Sequence, residues 1–229
     1  MKQRTIAILT IVFLTGSLSV ISCKKSDKKT AAPVTASFTE EFISVPGLNA
    51  KGWVMVNKTT PYPDLGAWKQ GSTIIGKGGP SGMAAYAYTT DQSEFIAAIG
   101  YNNQNTSDIS SWLITPLLKV KNGDKISFYT TSPALPSNVF RDRLQVLLNP
   151  AGTTDVGNSV SSVGGFTTNL FDINSGYTIA GYPQIWTAYT HTFSGISGTK
   201  NIRIGFRYFV PQADSASQIG IDQFKFESQ

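Results

Sequence analysis

From about residue 37 to its end, this chain is a series of short apolar runs separated by turn residues. The runs fall at 53–56, 84–88, 112–114, 125–129, 143–148, 189–193, 202–208 and 219–226, and they are rich in β-branched and aromatic side chains. Two of them alternate with period two. Ile126 and Phe128 interleave with Lys125, Ser127 and Tyr129, while Ile202, Ile204, Phe206 and Tyr208 lie opposite Arg203 and Arg207. Lys121-Asn122-Gly123-Asp124 and Ser197-Gly198-Thr199 supply turn chemistry between neighbouring runs. No stretch sustains a helical period; residues 93–99 allow a turn or two of helix at most. Residues 149–185 are rich in Gly, Ser, Thr and Asn and read as long loops. The pattern predicts an all-β sandwich of two antiparallel sheets.

The first 36 residues follow a different grammar. Lys2 and Arg4 precede an apolar run from Ile6 to Leu14, and Val20-Ile21-Ser22 leads into Cys23, the single cysteine. Thr10, Thr15, Gly16, Ser17 and Ser19 interrupt the run, which is short of the roughly 20 apolar residues of a spanning helix. This is the arrangement of a secretory signal peptide whose cleavage site ends on cysteine, and it looks like a bacterial lipobox. The expected organisation is a lipoprotein signal peptide over 1–22, a flexible tether over 23–36 and one domain over 37–229. Acyl chains on Cys23 would hold the domain at a membrane outside the cytoplasm. Lys24 directly after the lipidated position favours the outer membrane, with the domain facing either the periplasm or the cell surface.

Charge sharpens that division. Residues 1–36 carry six basic residues and one acidic residue, which accounts for the whole net charge of +5. The remaining 13 basic and 13 acidic residues cancel in 37–229. The domain therefore lacks the clustered basic face of a nucleic-acid binder, and no nucleic-acid partner is expected. Without a second cysteine it has no disulfide and must be held by its core.

Most catalytic constellations are short of residues. His191 is the single histidine, too few for ordinary zinc catalysis, and any Ser-His-Asp triad would have to use it. Its neighbours alternate, which places Tyr189, His191 and Phe193 on one face as a packed edge. Gly76-Lys77-Gly78-Gly79-Pro80 lacks the phosphate-binding loop pattern. A glycoside hydrolase needs only two carboxylates. Asp64, Glu94, Asp142 and Asp172 are the available acids, and their spacing singles out no pair.

Several segments together carry a family resemblance. They are Phe38-Thr39-Glu40-Glu41-Phe42, Gly52-Trp53, Trp68, Trp112-Leu113-Ile114-Thr115-Pro116, Arg143-Leu144-Gln145-Val146, Trp186 and Gly220-Ile221-Asp222-Gln223-Phe224. In this order they resemble the cleaved-adhesin, or choice-of-anchor J, domains. The resemblance implies a jelly-roll β-sandwich, a binding or adhesive role and no catalysis. It also implies a structural calcium where the first and last strands meet, held by Glu40 or Glu41 and by Asp222. Carboxylates and carbonyls suit that hard cation. Trp53, Trp112 and Trp186 fall in motif segments and read as structural. Tyr62, Tyr177 and Tyr182 lie in turn-rich stretches, where binding residues gather, and are the expected ligand-contacting aromatics or else loop anchors. The expected function is a lipid-anchored module that binds glycan or an envelope or host protein. The alternatives are a structural subunit of an envelope assembly and, third, the two-carboxylate glycosidase.

Overall fold

The computed structural model describes residues 32–61, 64, 66–72, 83–100, 108–134, 140–211 and 216–229, all of them within the compact unit Ala31–Gln229. Cys23, Tyr62 and the Gly-rich stretch at 76–80 lie outside the described residues. Twelve strands are found among the described residues. In order these are β1 Phe38–Glu40, β2 Val54–Asn57, β3 Trp68–Gln70, β4 Ile96–Ile99, β5 Ile109–Ile114 and β6 Leu118–Val120. There follow β7 Lys125–Thr131, β8 Leu144–Asn149, β9 Thr168–Ile173, β10 Thr187–Thr192, β11 Lys200–Val210 and β12 Gln218–Glu227. A 3-10 helix spans Val45–Lys51. No helix among the described residues is long and apolar enough to cross a membrane.

The strands form two six-stranded antiparallel sheets, the sandwich that the alternation predicts. The first runs β10-β7-β12-β4-β3, with β1 also paired to β12; the second runs β2-β5-β11-β8-β9, with β6 also paired to β11. Between them lies a continuous run of rings meeting edge to face. Phe128 meets Phe206 at 5.0 Å, Phe206 meets Phe224 at 5.9 Å, and Trp53 touches both Phe224 at 5.2 Å and Phe42 at 5.5 Å. Such pairs contribute about 0.5–1.5 kcal/mol each beyond the area they bury. Trp53 and Trp112 are fully buried, as expected of structural residues. His191 is half-buried and lies edge-on to Phe171 and Phe193, so its imidazole is packed, and burial lowers its pKa.

Four segments depart from the sequence reading. Residues 84–88 are not a strand, because the amides of Tyr86 and Ala87 donate to the Asp222 carboxylate and not to a neighbouring strand. Residues 96–99 are a strand, β4, and not a helical turn. Three of these four residues are buried, and a strand covered on both faces shows no alternation. The supposed loop at 149–185 contains β9, a partly exposed edge strand paired with β8. The 3-10 helix, with proline in its first turn, ends at Gly52, whose φ of 86° suits glycine.

Both sheets are partly roofed on their outer faces. Residues 150–167 cover the second sheet, where Val156 and Phe166 pack on Trp112, Ile114 and Leu147. The approach is so close that a Cβ on Gly205 would lie 2.9 Å from Phe166. Arg207 is buried under the same roof, against the Phe209 ring at 3.8 Å, and donates to Ser110 Oγ and Gln145 Oε1. It lies on the face opposite Ile204 and Phe206, as the alternation predicts, but the roof shuts it off from solvent. On the first sheet, Met83, Ala85, Phe95 and Ala97 form a smaller cover with Trp186.

The sandwich has two distinct poles. Val34 joins β6 as a parallel bridge, donating to Leu117 O at 2.7 Å and accepting from Lys119 N at 2.9 Å. At that pole the buried Asp124 binds the amides of Lys121 and Gln229 and the Lys121 ammonium, each at 2.9 Å. β7 starts there and ends at Thr131 on the opposite pole, where β10 and β12 begin.

Candidate functional site

The opposite pole carries the exposed aromatic surface. Tyr129 and Thr131 point to the outer face of β7, because Phe128 and Thr130 point inward. The Tyr86 ring stacks on Tyr129 with centroids 3.7 Å apart and planes 16° from parallel, and its hydroxyl donates to the Tyr129 hydroxyl at 3.0 Å. That hydrogen bond, with burial, raises the Tyr129 phenol pKa. Tyr86 is 46% exposed and Tyr88 50%.

Two carboxylates fix the loop that bears these rings. Asp222 is 0% exposed and lies at a bulge in β12, where Gln223 takes a φ of 50°. Its Oδ2 accepts from Tyr86 N at 2.8 Å and Ala87 N at 3.2 Å, and its Oδ1 from Gln223 N at 2.7 Å. Burial outweighs these bonds and pushes its carboxyl up to about 7, with the Glu41 charge adding to the rise. Glu94 holds the other limb. It accepts from the amides of Thr89, Thr90 and Asp91 at 2.6–3.0 Å, and from both threonine hydroxyls. The Thr89 amide and the Thr90 hydroxyl lead in lowering its carboxyl to about 2.

Beside the tyrosine pair lies a cleft of about 250 Å³. Trp186 forms one wall, half-buried, with its Nε1 donating to Ala84 O at 2.9 Å and its ring edge-on to Phe95. Met83, Ala84, Thr131, Ser132 and Gln184 contribute to the lining, and Ile185, 78% exposed, stands at its rim. Trp186, expected to be structural, therefore also presents surface to solvent. Tyr86, Tyr88, Tyr129 and Gln184 were not singled out in the sequence. The signal that could have found them is Tyr86 and Tyr88 in a run that follows Ser81-Gly82, with Tyr129 on the polar face of its strand.

The expected tyrosines stand elsewhere. Tyr182 is not exposed: it is 4% accessible and buried in the inter-sheet core, with its hydroxyl 2.6 Å from Thr130 Oγ1. Tyr177 is half-buried and accepts from Arg143 Nη1 at 2.6 Å, with the guanidinium 4.8 Å from its ring centre. Both anchor their loop. Three of the four candidate acids of a glycosidase are also committed, while Asp64 is exposed. Asp142 is buried, accepting from Tyr208 Oη, Ser217 N and Ser217 Oγ, and its carboxyl is pushed up to about 6 by burial. Asp172 pairs with Arg143, and Glu94 ties its loop.

The first and last strands do meet where the calcium was expected, with Glu40 opposite Phe224. Glu40 and Asp222 are each engaged by the chain's own donors, and the charge of Glu41, the other glutamate expected there, acts on Asp222. Both Glu40 oxygens face the Lys51 ammonium at 3.0–3.1 Å, and Oε1 also accepts from Phe42 N. Asp222 spends its oxygens on three amides. No group of three or more His, Cys, Asp or Glu able to hold a metal occurs among the described residues, whereas calcium takes about six to eight oxygens.

No family model matches the sequence, and no curated protein matches it. Solved structures do. The K1 cleaved adhesin domain of Lys-gingipain from Porphyromonas gingivalis W83 aligns at 17% identity with a TM-score of 0.50, over 85% of this chain and 99% of that one. The K3 cleaved adhesin domain of the same protein aligns at 20% identity and 0.48, over 83% and 98%. A family 11 carbohydrate-binding module from Clostridium thermocellum, in complex with a β-1,3-1,4-mixed-linked tetrasaccharide, aligns at 11% identity and 0.43, over 85% and 97%. In fold, this chain is a cleaved-adhesin-like jelly-roll domain.

Proposed function

We propose that this chain is a non-catalytic binding module that takes glycan on the outer face of its first sheet, held at the outer membrane by acyl chains on Cys23. The observation that carries the reading is the stacked Tyr86–Tyr129 pair beside the Trp186 cleft, on a loop fixed from both sides by carboxylates. A rigid, half-apolar surface with a few convergent polar groups is what a small neutral ligand requires, and pre-ordering it lowers the entropic cost of binding. The signal-peptide grammar ending at Cys23 supports the anchor. The committed state of Asp142, Asp172 and Glu94 speaks for binding over hydrolysis.

The test is a glycan array probed with the purified full chain, in calcium and again in chelator, alongside the Tyr86→Ala variant. Defined binding is expected, weakened at least about tenfold in the variant, as for an aromatic anchor, and unchanged by chelator. A blank array would overturn the glycan reading and turn attention to an envelope or host protein as the partner.

A further inference from the structure

Gln184 is half-buried in the lining of the cleft, and its carboxamide makes no hydrogen bond among the described residues. The other polar lining groups have already given their protons. Thr131 Oγ1 donates to Ser132 O at 3.1 Å, Ser132 Oγ to Pro183 O at 3.2 Å, and Trp186 Nε1 to Ala84 O. The two hydroxyl oxygens keep lone pairs and can only accept. Among the described lining residues, Gln184 alone offers a side-chain donor and acceptor side by side in one plane. That edge matches two adjacent hydroxyls, one accepting the amide N–H and the other donating to its carbonyl. Met83, Ala84 and the indole of Trp186 supply an apolar wall for the C–H face of a ring.

Charge and size narrow the ligand further. None of the lining side chains among the described residues is ionisable at neutral pH, so against them a carboxylate or sulfate entering the cleft would lose water and gain no counter-charge. The volume of about 250 Å³ lies below the roughly 300–1,000 Å³ of ordinary small-molecule pockets. It gives room for one ring.

Building on the glycan reading above, we propose that this cleft is a subsite for a single neutral hexopyranose, with Gln184 reading a vicinal pair of hydroxyls, and that it rejects uronic acids. Gln184 is then a specificity-determining residue. Because its amide supports nothing else in the fold, Gln184→Ala leaves the melting temperature unchanged.

The test is titration of the full chain with methyl glucoside, methyl galactoside, methyl mannoside, glucuronate and galacturonate, followed by ligand-observed NMR. Wild type, Gln184→Ala and Tyr86→Ala are compared. At least one neutral glycoside is expected to bind, with Gln184→Ala about thirtyfold weaker for the loss of two hydrogen bonds of about 1 kcal/mol each, and neither uronate is expected to bind. Equal binding of a uronate, or unchanged binding by Gln184→Ala, overturns the subsite. If a glycoside is lost in Tyr86→Ala but unaffected in Gln184→Ala, the glycan reading stands and this assignment falls. If arrayed glycans bind and no monosaccharide does, the single-ring assignment falls alone. If neither binds, both readings fall together.

Discussion

Asp222 is a carboxyl fully buried in the sandwich, and three backbone amides donate to it. Its raised carboxyl has a definite consequence for stability. As pH rises from about 4 to about 7, the unfolded chain releases this proton and the folded protein retains it. Folding therefore loses stability through that window, by roughly 4 kcal/mol at the limit. Asp142, raised to about 6, acts in the same direction. Glu94 acts oppositely: lowered to about 2, it stabilises above its ordinary value of 4.5 and loses that contribution as pH falls toward 2. Urea midpoints measured against pH are expected to peak near 4–5, and Asp222→Asn is expected to flatten the descent from 4 to 7. A descent equally steep in the variant would remove Asp222 as its source. In the sequence Asp222 directly follows the apolar run Ile219-Gly220-Ile221. Its task, pinning the loop of Tyr86, depends on amides more than 130 residues away in the chain and is invisible to local pattern.

At the scale of elements, what was legible followed from faces. β7, half exposed and half buried, declares itself by alternation, as does β11 through Arg203 and Arg207 although both its faces are covered, and the turns are declared by Gly and Asn. β4 did not, since both its faces are covered, and β9 did not, since its polar edge residues resemble a loop. The same limit hid the cleft. Trp186 sits in a motif segment and reads as core, and only tertiary packing shows that one side of it meets solvent. The junction of β1 with the 3-10 helix gives a prediction of its own. Lys51 reaches back from the end of that helix to the buried Glu40, supplying the positive charge that a metal would otherwise bring. Calcium and chelator are expected to leave the melting temperature of the wild type unmoved. Lys51→Met, which strands a buried carboxylate on one amide, is expected to cost about 1–3 kcal/mol. A clear calcium-dependent rise in the wild-type melting temperature would overturn that account and restore the metal.

Across the whole molecule, the two poles are built differently. The chain enters at Val34, beside the Asp124 turn, and the cleft lies at the far end of β7, with β11 extending over 11 residues, roughly 35 Å. Pulled between these points, the sandwich is loaded along its strands. The ladder hydrogen bonds lie across that direction, so they resist as a group in shear and do not peel one after another. Handles at Thr35→Cys and Ile185→Cys, in a Cys23→Ser background, are therefore expected to need a higher unfolding force than handles at Thr35→Cys and Gln229→Cys. Equal forces would remove the distinction. Two hydrogen bonds at Val34 thus fix one end of an axis of load, and that axis is the one the sheets bear best.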